Sequence, residues 1–266
     1  MEASPSAPEA QFAAALDTRG WFIAEGAVRP ALLDELAAQL EPALARRDAI
    51  RAQAGVEGGN DGTLHHLLGD HPCFVDLLDA LRPFDAALRG YFTGKYVLNS
   101  YGGVINRQEG SAYVHHIHRD IRFSSDTRRF MLNLLVMLDD FTPENGGTWL
   151  LSGSQGLAQK PAEERFYREA QQAVGRRGAF LFFDSRLWHA AGRNATPRTR
   201  RALTLTFTSP FFKPQLDYPR LLGIGHPAAR DPFLRQVIGY NARVPGTLQE
   251  YYVPVADRFY QRGQDD

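Results

Sequence analysis

The sequence predicts a mainly β fold with N-terminal helices, in the form of a barrel or sandwich that the helices back on one side. Two observations support this prediction. Apolar residues recur at three-to-four spacing before Gly94, which indicates amphipathic helices. After Gly94, short runs rich in β-branched and aromatic residues alternate with Gly, Asn, Asp and Pro, which is typical of short strands joined by turns.

Three helices are predicted in the N-terminal part of the chain. The first begins near Phe12 and ends before Gly20, and the run WFIA at 21–24 is expected to form a short strand. The second begins at Pro30 and continues to about residue 49, with leucines along one face. Residues 55–62 have the composition of a loop, and helical spacing returns over 73–92.

The remaining elements are predicted to be strands. We expect them at 95–105, 113–117, 129–138, 148–151, 178–183 and 201–209. The segment 157–177 is charged and partly helical, and an insertion of this kind between two strands is expected to act as a lid. The chain is expected to form a single domain over 1–266, with flexible tails at 1–10 and 261–266.

Composition excludes several classes of function. Thirty acidic and thirty basic residues cancel, so the chain lacks the basic surface that nucleic-acid binding requires. The single cysteine, Cys73, can form neither an internal disulfide nor a zinc–thiolate cluster. The N-terminus lacks a signal-peptide pattern, and no apolar run approaches the roughly 20 residues of a membrane span. We therefore expect a cytoplasmic protein that binds a small molecule and not a membrane; the sequence leaves its oligomeric state unknown.

Two histidines and one aspartate form a candidate metal site. His118 and Asp120 are two residues apart, so on a strand they share one face, and His189 follows the predicted strand at 178–183. Two imidazoles and one carboxylate are the facial triad of non-haem Fe(II) oxygenases, which leaves the other metal positions open. His116 has the same parity as His118 and is an alternative ligand, and histidines on an exposed surface are the other alternative.

Arg200 is the candidate anion-binding residue. Along the predicted strand at 201–209, apolar residues at 203, 205 and 207 share one face, and threonines at 204, 206 and 208 share the other with Arg200. If the apolar face packs against the helices, Arg200 points into the barrel, where a guanidinium requires an anion such as the distal carboxylate of 2-oxoglutarate. A solvated cluster with the arginines at 198 and 201 is the alternative.

Four further residues are candidates for the pocket. Asn133 lies within an apolar strand and needs a hydrogen-bond partner, which is either 2-oxoglutarate or another part of the protein. Asn99 and Tyr101 on the first long strand, and Arg122 after the H-x-D motif, are candidate substrate contacts. Ordinary packing or surface roles are the alternatives for these three.

Several motifs resemble those of the phytanoyl-CoA dioxygenase family of Fe(II)/2-oxoglutarate-dependent oxygenases. The run LDDFTPENGGTW at 138–149, followed by GSQ at 153–155, is similar to the connector of this family. The family also has H-x-D, here at 118–120, a pattern like HAAGRN at 189–194, and an arginine eleven residues after the second histidine, which here is Arg200. The opening GWF at 20–22 and the leucine-rich helix after Pro30 match as well, so the resemblance covers nearly the whole chain.

Two positions depart from the family pattern. Gln155 stands where histidine is common, and Ala191 stands where serine is common. Neither is a candidate metal ligand. Ala191 puts one polar contact to the cosubstrate in doubt, because alanine has no hydroxyl group.

The resemblance implies a double-stranded β-helix, a jelly-roll or cupin-like barrel braced by α-helices. It implies that His118, Asp120 and His189 bind Fe(2+) and that Arg200 binds 2-oxoglutarate. The reaction then uses O2 to hydroxylate an unactivated C–H bond of a small metabolite, in natural-product biosynthesis or small-molecule catabolism, with CO2 and succinate as coproducts. Halogenating relatives have a small residue in place of the carboxylate, so Asp120 favours hydroxylation.

Other functions remain open at this point. A non-catalytic metal- or ligand-binding β-barrel would keep the fold without needing the triad and Arg200 together. A zinc hydrolase could use two histidines and an aspartate, but it would not need Arg200. An acyl-CoA hydroxylase is a third alternative, although no segment resembles a dedicated site for the phosphates of CoA.

Overall fold

The computed structural model describes residues 7–56, 62–108, 113–121, 128–255 and 258. Its helices are α1 (Ala7–Thr18), α2 (Pro30–Gln53), α3 (Pro72–Asp79), α4 (Asp85–Phe92), α5 (Glu163–Glu169), α6 (Tyr218–Leu222), α7 (Pro232–Ile238) and α8 (Leu248–Tyr251). Its strands are β1 (Trp21–Ala24), β2 (Thr63–Leu64), β3 (Val97–Asn106), β4 (Met131–Met137), β5 (Trp149–Leu150), β6 (Gln171–Gln172), β7 (Phe180–Asp184), β8 (His189–Ala190) and β9 (Arg200–Thr208).

The strands form two antiparallel sheets. The larger sheet has the order β1-β7-β4-β9-β3-β2, and the smaller sheet has the order β6-β5-β8. Strand β9 lies between β3 and β4 and pairs with both along most of its length. The larger sheet is therefore assembled from strands that are far apart in the chain, and residues of β3, β4 and β9 share its two faces.

One face of the larger sheet is covered by the N-terminal helices. Pro30 opens α2, where its missing N–H is not needed for helical hydrogen bonds, and the leucine stripe of this helix is buried. The stripe consists of Leu32, Leu33, Leu36 and Leu40. It packs in one apolar core with side chains of β4, β7 and β9, and burial of each leucine contributes roughly 1.5–3 kcal/mol.

The opposite face of the larger sheet is divided between a second apolar core and an open cavity. The second core includes Leu135 and Met137 from β4, Leu181 from β7 and Leu150 from β5, so it joins the two sheets. Beyond this core, Asn133 of β4 and Thr204 and Thr206 of β9 border the cavity. The structure thus closes one part of the barrel interior and leaves the other part accessible.

The structure corrects several predicted elements. The helix expected over 73–92 is interrupted by a 3-10 turn at Arg82–Phe84, because Pro83 has no N–H to continue an α-helix. The prediction of a strand at 113–117 is wrong, since Tyr113–His115 forms a 3-10 turn. Residues 7–10, expected in a flexible tail, belong to α1, whereas 1–6 and 261–266 lie outside the described residues.

The fold has more helix than the predicted mainly β class. Helices α6, α7 and α8 follow the last strand, in a segment where the sequence pattern predicts no element. Val237 and Ile238 of α7 and the nearby Tyr240 join the main core. The C-terminal segment therefore completes the layer that covers the larger sheet. Within the described residues, no helix combines the length and apolar composition needed to cross a membrane.

Leu36→Ala is expected to lower the free energy of unfolding by about 2–5 kcal/mol, because it removes a fully buried side chain and leaves a cavity in the core. Ile50→Ala on the same helix is the matched control. Ile50 is 58% exposed, so its loss should change stability by no more than about 0.5 kcal/mol. Urea unfolding followed by circular dichroism measures both variants, and equal destabilisation would contradict the assigned buried face of α2.

Candidate metal centre and cavity

Three side chains meet at one point beside the smaller sheet. His118 Nε2 lies 3.5 Å from Asp120 Oδ1, and His189 Nε2 lies 3.6 Å from Asp120 Oδ2. One ligand atom from each residue lies within 4.8 Å of the other two. This spacing lets a single cation bind all three groups, because ligand bonds near 2 Å bring donor atoms together on one face of the ion. The structure therefore brings together the three residues predicted from the sequence.

The backbone, and not strand alternation, brings these residues together. The N–H of His118 donates to the carbonyl of His189, and the N–H of His189 donates to the carbonyl of His118, both at 2.9 Å. The N–H of Asp120 donates to the carbonyl of Ser185 at 3.0 Å. His118 thus pairs with His189 of β8 through an isolated antiparallel bridge, and Asp120 lies beside Ser185 in the turn before β8. The segment before Asp120 is therefore not the regular strand predicted from the sequence, although the three predicted residues do lie together.

Each histidine is oriented by a hydrogen bond to a backbone carbonyl. Nδ1 of His118 lies 2.7 Å from the carbonyl oxygen of His116, and Nδ1 of His189 lies 3.0 Å from that of Leu187. A carbonyl can only accept, so these contacts assign the proton to Nδ1 and leave a lone pair on Nε2 for a metal. The side chain of His116 is exposed and does not join the cluster, so the alternative pair His116 and His118 is not supported.

Asn133 holds the carboxylate of the cluster. Its Nδ2 donates to Asp120 Oδ2 at 2.7 Å, and its Oδ1 accepts a hydrogen bond from the Thr206 hydroxyl at 3.1 Å. Asn133 therefore has the hydrogen-bond partners within the protein that were one of its two predicted alternatives. Asn133 also lines the cavity, so its predicted contact with the cosubstrate stays a prediction.

Arg200 is buried at the cavity without a hydrogen-bond partner for two of its nitrogens. The residue is 2% exposed, and neither Nε nor Nη2 has a partner among the described residues. Its guanidinium lies 4.3 Å from the centre of the Phe141 ring. Burial lowers its pKa from 12.5 to about 10, so the group stays charged at neutral pH. A buried cation with two unused donors needs an anion.

The predicted parity of β9 is confirmed. Leu203, Leu205 and Phe207 pack in the main core with the helices. Thr204 and Thr206 line the cavity together with Arg200. The neighbouring Arg201 instead forms an ion pair with Asp139 at 2.7 Å, which distinguishes it from Arg200.

The cavity has a volume of about 470 Å³ and contains both the metal cluster and Arg200. Tyr101 borders it, but the Tyr101 ring packs edge to face on Phe74 within the main core. Asn99 does not line the cavity. Its side-chain amide instead donates hydrogen bonds to the carbonyl of Lys213 and to the hydroxyl of Thr208. Arg122 lies outside the described residues.

The cavity also includes residues that the sequence analysis did not identify. These are Thr63, His65 and His66 from the segment around β2, and Gln215 from the segment after β9. No spacing or motif in the sequence pointed to them. They reach the cavity because β2 pairs with β3, and because the N–H of Gln215 donates to the carbonyl of Asn99 at 3.0 Å.

The segment expected to act as a lid supports the metal cluster from behind. Phe166 of α5 is fully buried against Ile117 and Trp188, the residues that precede His118 and His189. The indole N–H of Trp188 donates to the carbonyl of Leu157. None of residues 157–177 lines the cavity in the described structure. In this conformation the segment packs behind the cluster and does not border the cavity, so its role as a lid stays a prediction.

The glycines of the connector motif allow two loops to touch. A Cβ atom on Gly146 would lie 2.3 Å from the carbonyl oxygen of Gly192, and one on Gly192 would lie 2.5 Å from that of Gly147. Gly146 also has a φ of +87°, which L-residues rarely adopt. The second loop leads from His189 towards Arg200, so these contacts pack the connector motif against the segment that links the two halves of the site.

A model of the phytanoyl-CoA dioxygenase family matches residues 16–202, which include every member of the metal cluster and Arg200. The chain belongs to the phytanoyl-CoA dioxygenase family. The members of this family are Fe(II)/2-oxoglutarate-dependent oxygenases, and the residues present fit both groups. Two imidazoles and a carboxylate suit iron, and the unpartnered guanidinium of Arg200 suits the carboxylate of 2-oxoglutarate.

Two curated relatives show the range of similarity within this family. An uncharacterized protein of Mycobacterium tuberculosis is 38% identical over 133 residues, which are 50% of this chain and 49% of that protein. The dioxygenase olcK of Penicillium canescens is 30% identical over 105 residues, or 37% of this chain and 33% of that protein. The chain spans about half the length of the first relative that it matches, and about a third of the second.

Two solved structures show the fold. HygX from Streptomyces hygroscopicus, with nickel and 2-oxoglutarate bound, is 18% identical with a TM-score of 0.60, covering 84% of this chain and 96% of that one. The epimerase SnoN from nogalamycin biosynthesis, in complex with Fe3+, alpha ketoglutarate and nogalamycin RO, is 17% identical with a TM-score of 0.61. This match covers 78% of this chain and 87% of that one. With the family match, this likeness confirms the double-stranded β-helix.

Asn133→Ala is expected to weaken metal binding by roughly tenfold to a hundredfold, because the Asp120 carboxylate loses the amide that fixes its orientation. Asn99→Ala is the matched control, as Asn99 is equally buried but does not contact the metal cluster. Titration with Mn(II), followed by electron paramagnetic resonance, measures both affinities. An equal loss of Mn(II) affinity in the two variants would show that the loss comes from general destabilisation and not from the contact with Asp120.

Proposed function

We propose that this protein is an Fe(II)/2-oxoglutarate-dependent dioxygenase that hydroxylates an unactivated C–H bond of a small metabolite. The observation that carries the proposal is Arg200, a buried guanidinium with unused donors at the cavity that contains His118, Asp120 and His189. A metal-binding barrel or a zinc hydrolase has no need of this cation. Iron and 2-oxoglutarate, when bound, supply the oxidising chemistry that places an oxygen atom from O2 on the substrate and yields succinate and CO2.

The residues of the cavity have distinct tasks in this proposal. His118, Asp120 and His189 hold the iron through Nε2 and carboxylate oxygens, and Asn133 keeps the carboxylate from rotating. Arg200 fixes the distal carboxylate of 2-oxoglutarate through two parallel hydrogen bonds. The ring of Phe183 packs edge to face on His189 at 4.9 Å between ring centres, which helps to exclude water from that ligand.

The proposal is tested by metal analysis combined with an assay for succinate. The purified protein loaded with Fe(II) should convert 2-oxoglutarate into succinate, slowly without substrate and faster with the correct one. A zinc hydrolase and a non-catalytic barrel would both leave 2-oxoglutarate intact. Absence of succinate with bound iron would reject the proposal.

His118→Ala, Asp120→Ala and His189→Ala are each expected to abolish succinate formation and sharply reduce iron binding, because a three-residue site cannot absorb the loss of one ligand. His116→Ala is the control, since its side chain is exposed and outside the cluster. Succinate is measured by mass spectrometry and iron by a colorimetric chelator. An active His189→Ala variant would refute the ligand assignment.

Arg200→Ala is expected to weaken 2-oxoglutarate binding by roughly tenfold to a hundredfold, because a charge-assisted hydrogen-bond pair contributes about 1.5–3 kcal/mol. Iron affinity should stay near that of the unmodified protein. Arg201→Ala should leave 2-oxoglutarate affinity unchanged, because Arg201 is paired with Asp139. Isothermal titration with 2-oxoglutarate under anaerobic conditions compares the two, and the reverse order of effects would disprove the proposed role of Arg200.

The reaction is expected to be hydroxylation and not halogenation, because Asp120 occupies the coordination position that halide requires. The test is turnover of the true substrate in excess chloride with labelled O2, followed by mass spectrometry. The product should carry one labelled oxygen atom. A chlorinated product would contradict the ligand role of Asp120, and an unlabelled product would instead indicate desaturation or ring formation.

A further inference from the structure

One wall of the cavity is built from an edge strand and carries polar groups without an assigned role. Thr63 and Leu64 of β2 both border the cavity, and Leu64 is also fully buried in the main core. Thr63 is 6% exposed, and its hydroxyl has no hydrogen-bond partner among the described residues. A buried polar group left unpaired costs about 1–3 kcal/mol, which points to a missing ligand or water at this wall.

The backbone of His66, at the end of this segment, is held in a strained conformation. His66 has a φ of 58°, a left-handed backbone that costs free energy in any residue other than glycine. The guanidinium of Arg47 stabilises it by donating to the carbonyls of His65 at 2.6 Å and His66 at 2.8 Å. Nδ1 of His66 also lies 3.2 Å from the hydroxyl of Tyr218. The fold thus maintains a strained backbone at His66, and both His65 and His66 border the cavity.

The groups on this wall are uncharged at neutral pH. Partial burial, followed by the positive charges of Arg47 and Arg51, lowers the pKa of His65. Partial burial, followed by His65 and Arg47, lowers the pKa of His66. The amide of Gln215 and the hydroxyl of Thr63 complete the wall. All of these groups can donate or accept hydrogen bonds without carrying charge.

The charged residues of the cavity are already assigned to the cofactors. Among the described lining residues, only Asp120 and Arg200 carry full charges, and the proposed function assigns them to iron and 2-oxoglutarate. A carboxylate or phosphate of the substrate would find no second lysine or arginine among those lining residues. Burial of such a group without a cation is unfavourable. Within the described residues, the cavity therefore favours an uncharged substrate over acyl-CoA and other anionic substrates.

We propose that Thr63, His65, His66 and Gln215 bind the organic substrate, and that it is an uncharged molecule recognised through hydroxyl groups. The proposal rests on the proposed dioxygenase function, since it assumes that Asp120 and Arg200 are occupied by iron and 2-oxoglutarate. With part of the roughly 470 Å³ taken by the cosubstrate, the remaining space suits a ring-sized polyol.

The test uses the protein loaded with Zn(II) and 2-oxoglutarate, which is diamagnetic and unreactive. The probes are cyclitols and methyl glycosides, together with the uronic acids and phosphate monoesters of the same rings. Saturation-transfer NMR reports binding of each probe and of 2-oxoglutarate in the same sample. Neutral polyols should bind, and their charged counterparts should not.

His66→Asn and Gln215→Leu should each weaken polyol binding by roughly threefold to tenfold, as expected for loss of one hydrogen bond. Asparagine tolerates the positive φ of His66, so the backbone is kept. His71→Asn is the control, because His71 caps α3 outside the cavity and asparagine is also a good cap.

Failure of the inference is distinguishable from failure of the proposed function. Equal or tighter binding of the acids or phosphates, no binding of any neutral polyol, or unchanged binding in the His66 and Gln215 variants would each overturn the inference while 2-oxoglutarate still binds. Absence of 2-oxoglutarate binding to the unmodified protein would instead overturn the proposed function, and this inference with it.

Discussion

The reciprocal backbone hydrogen bonds between His118 and His189 are the constraint on which the site depends. They join two distant parts of the chain, and the third bond from Asp120 to Ser185 sets the position of the carboxylate. Because this pairing is an isolated bridge and not a long ladder, it needs support from its surroundings. Phe166 supplies apolar contact behind both histidines, and the buried ion pair of Asp184 with Arg186 stabilises the turn before His189.

The chemistry of the site requires polar groups to be buried before their partners arrive. Arg200 is the clearest example, with unused donors in an almost fully buried side chain. Such a group is unfavourable in the free protein, but it needs no reorganisation when a carboxylate binds. The two apolar cores on either side of the larger sheet provide the stability that permits this arrangement. The unpaired hydroxyl of Thr63, which also borders the cavity, follows the same principle.

The segment 157–177, which contains α5 and β6, illustrates why position in the chain does not reveal function. Its length and charge are typical of a mobile cover, yet its one buried aromatic side chain, Phe166, attaches it to the back of the metal cluster. Through the apolar contacts of Phe166, this segment supports the metal-binding histidines instead of lying free on the surface. The cavity wall comes instead from the β2 segment and from the residues after β9, which carry no recognisable motif.

The sequence by itself determined the local and periodic features of this protein. The leucine stripe of α2 and the alternation of β9 are periodic, so the buried face and the direction of Arg200 follow from residue spacing. The triad was predictable because its chemistry needs particular residue types at particular spacing. Only the tertiary structure decided what depends on contact between distant segments: the irregular backbone at 113–120, the hydrogen bond from Asn133 to Asp120, and the wall of Thr63, His65, His66 and Gln215. These features arise from packing and hydrogen bonds across the chain, for which the sequence has no local pattern.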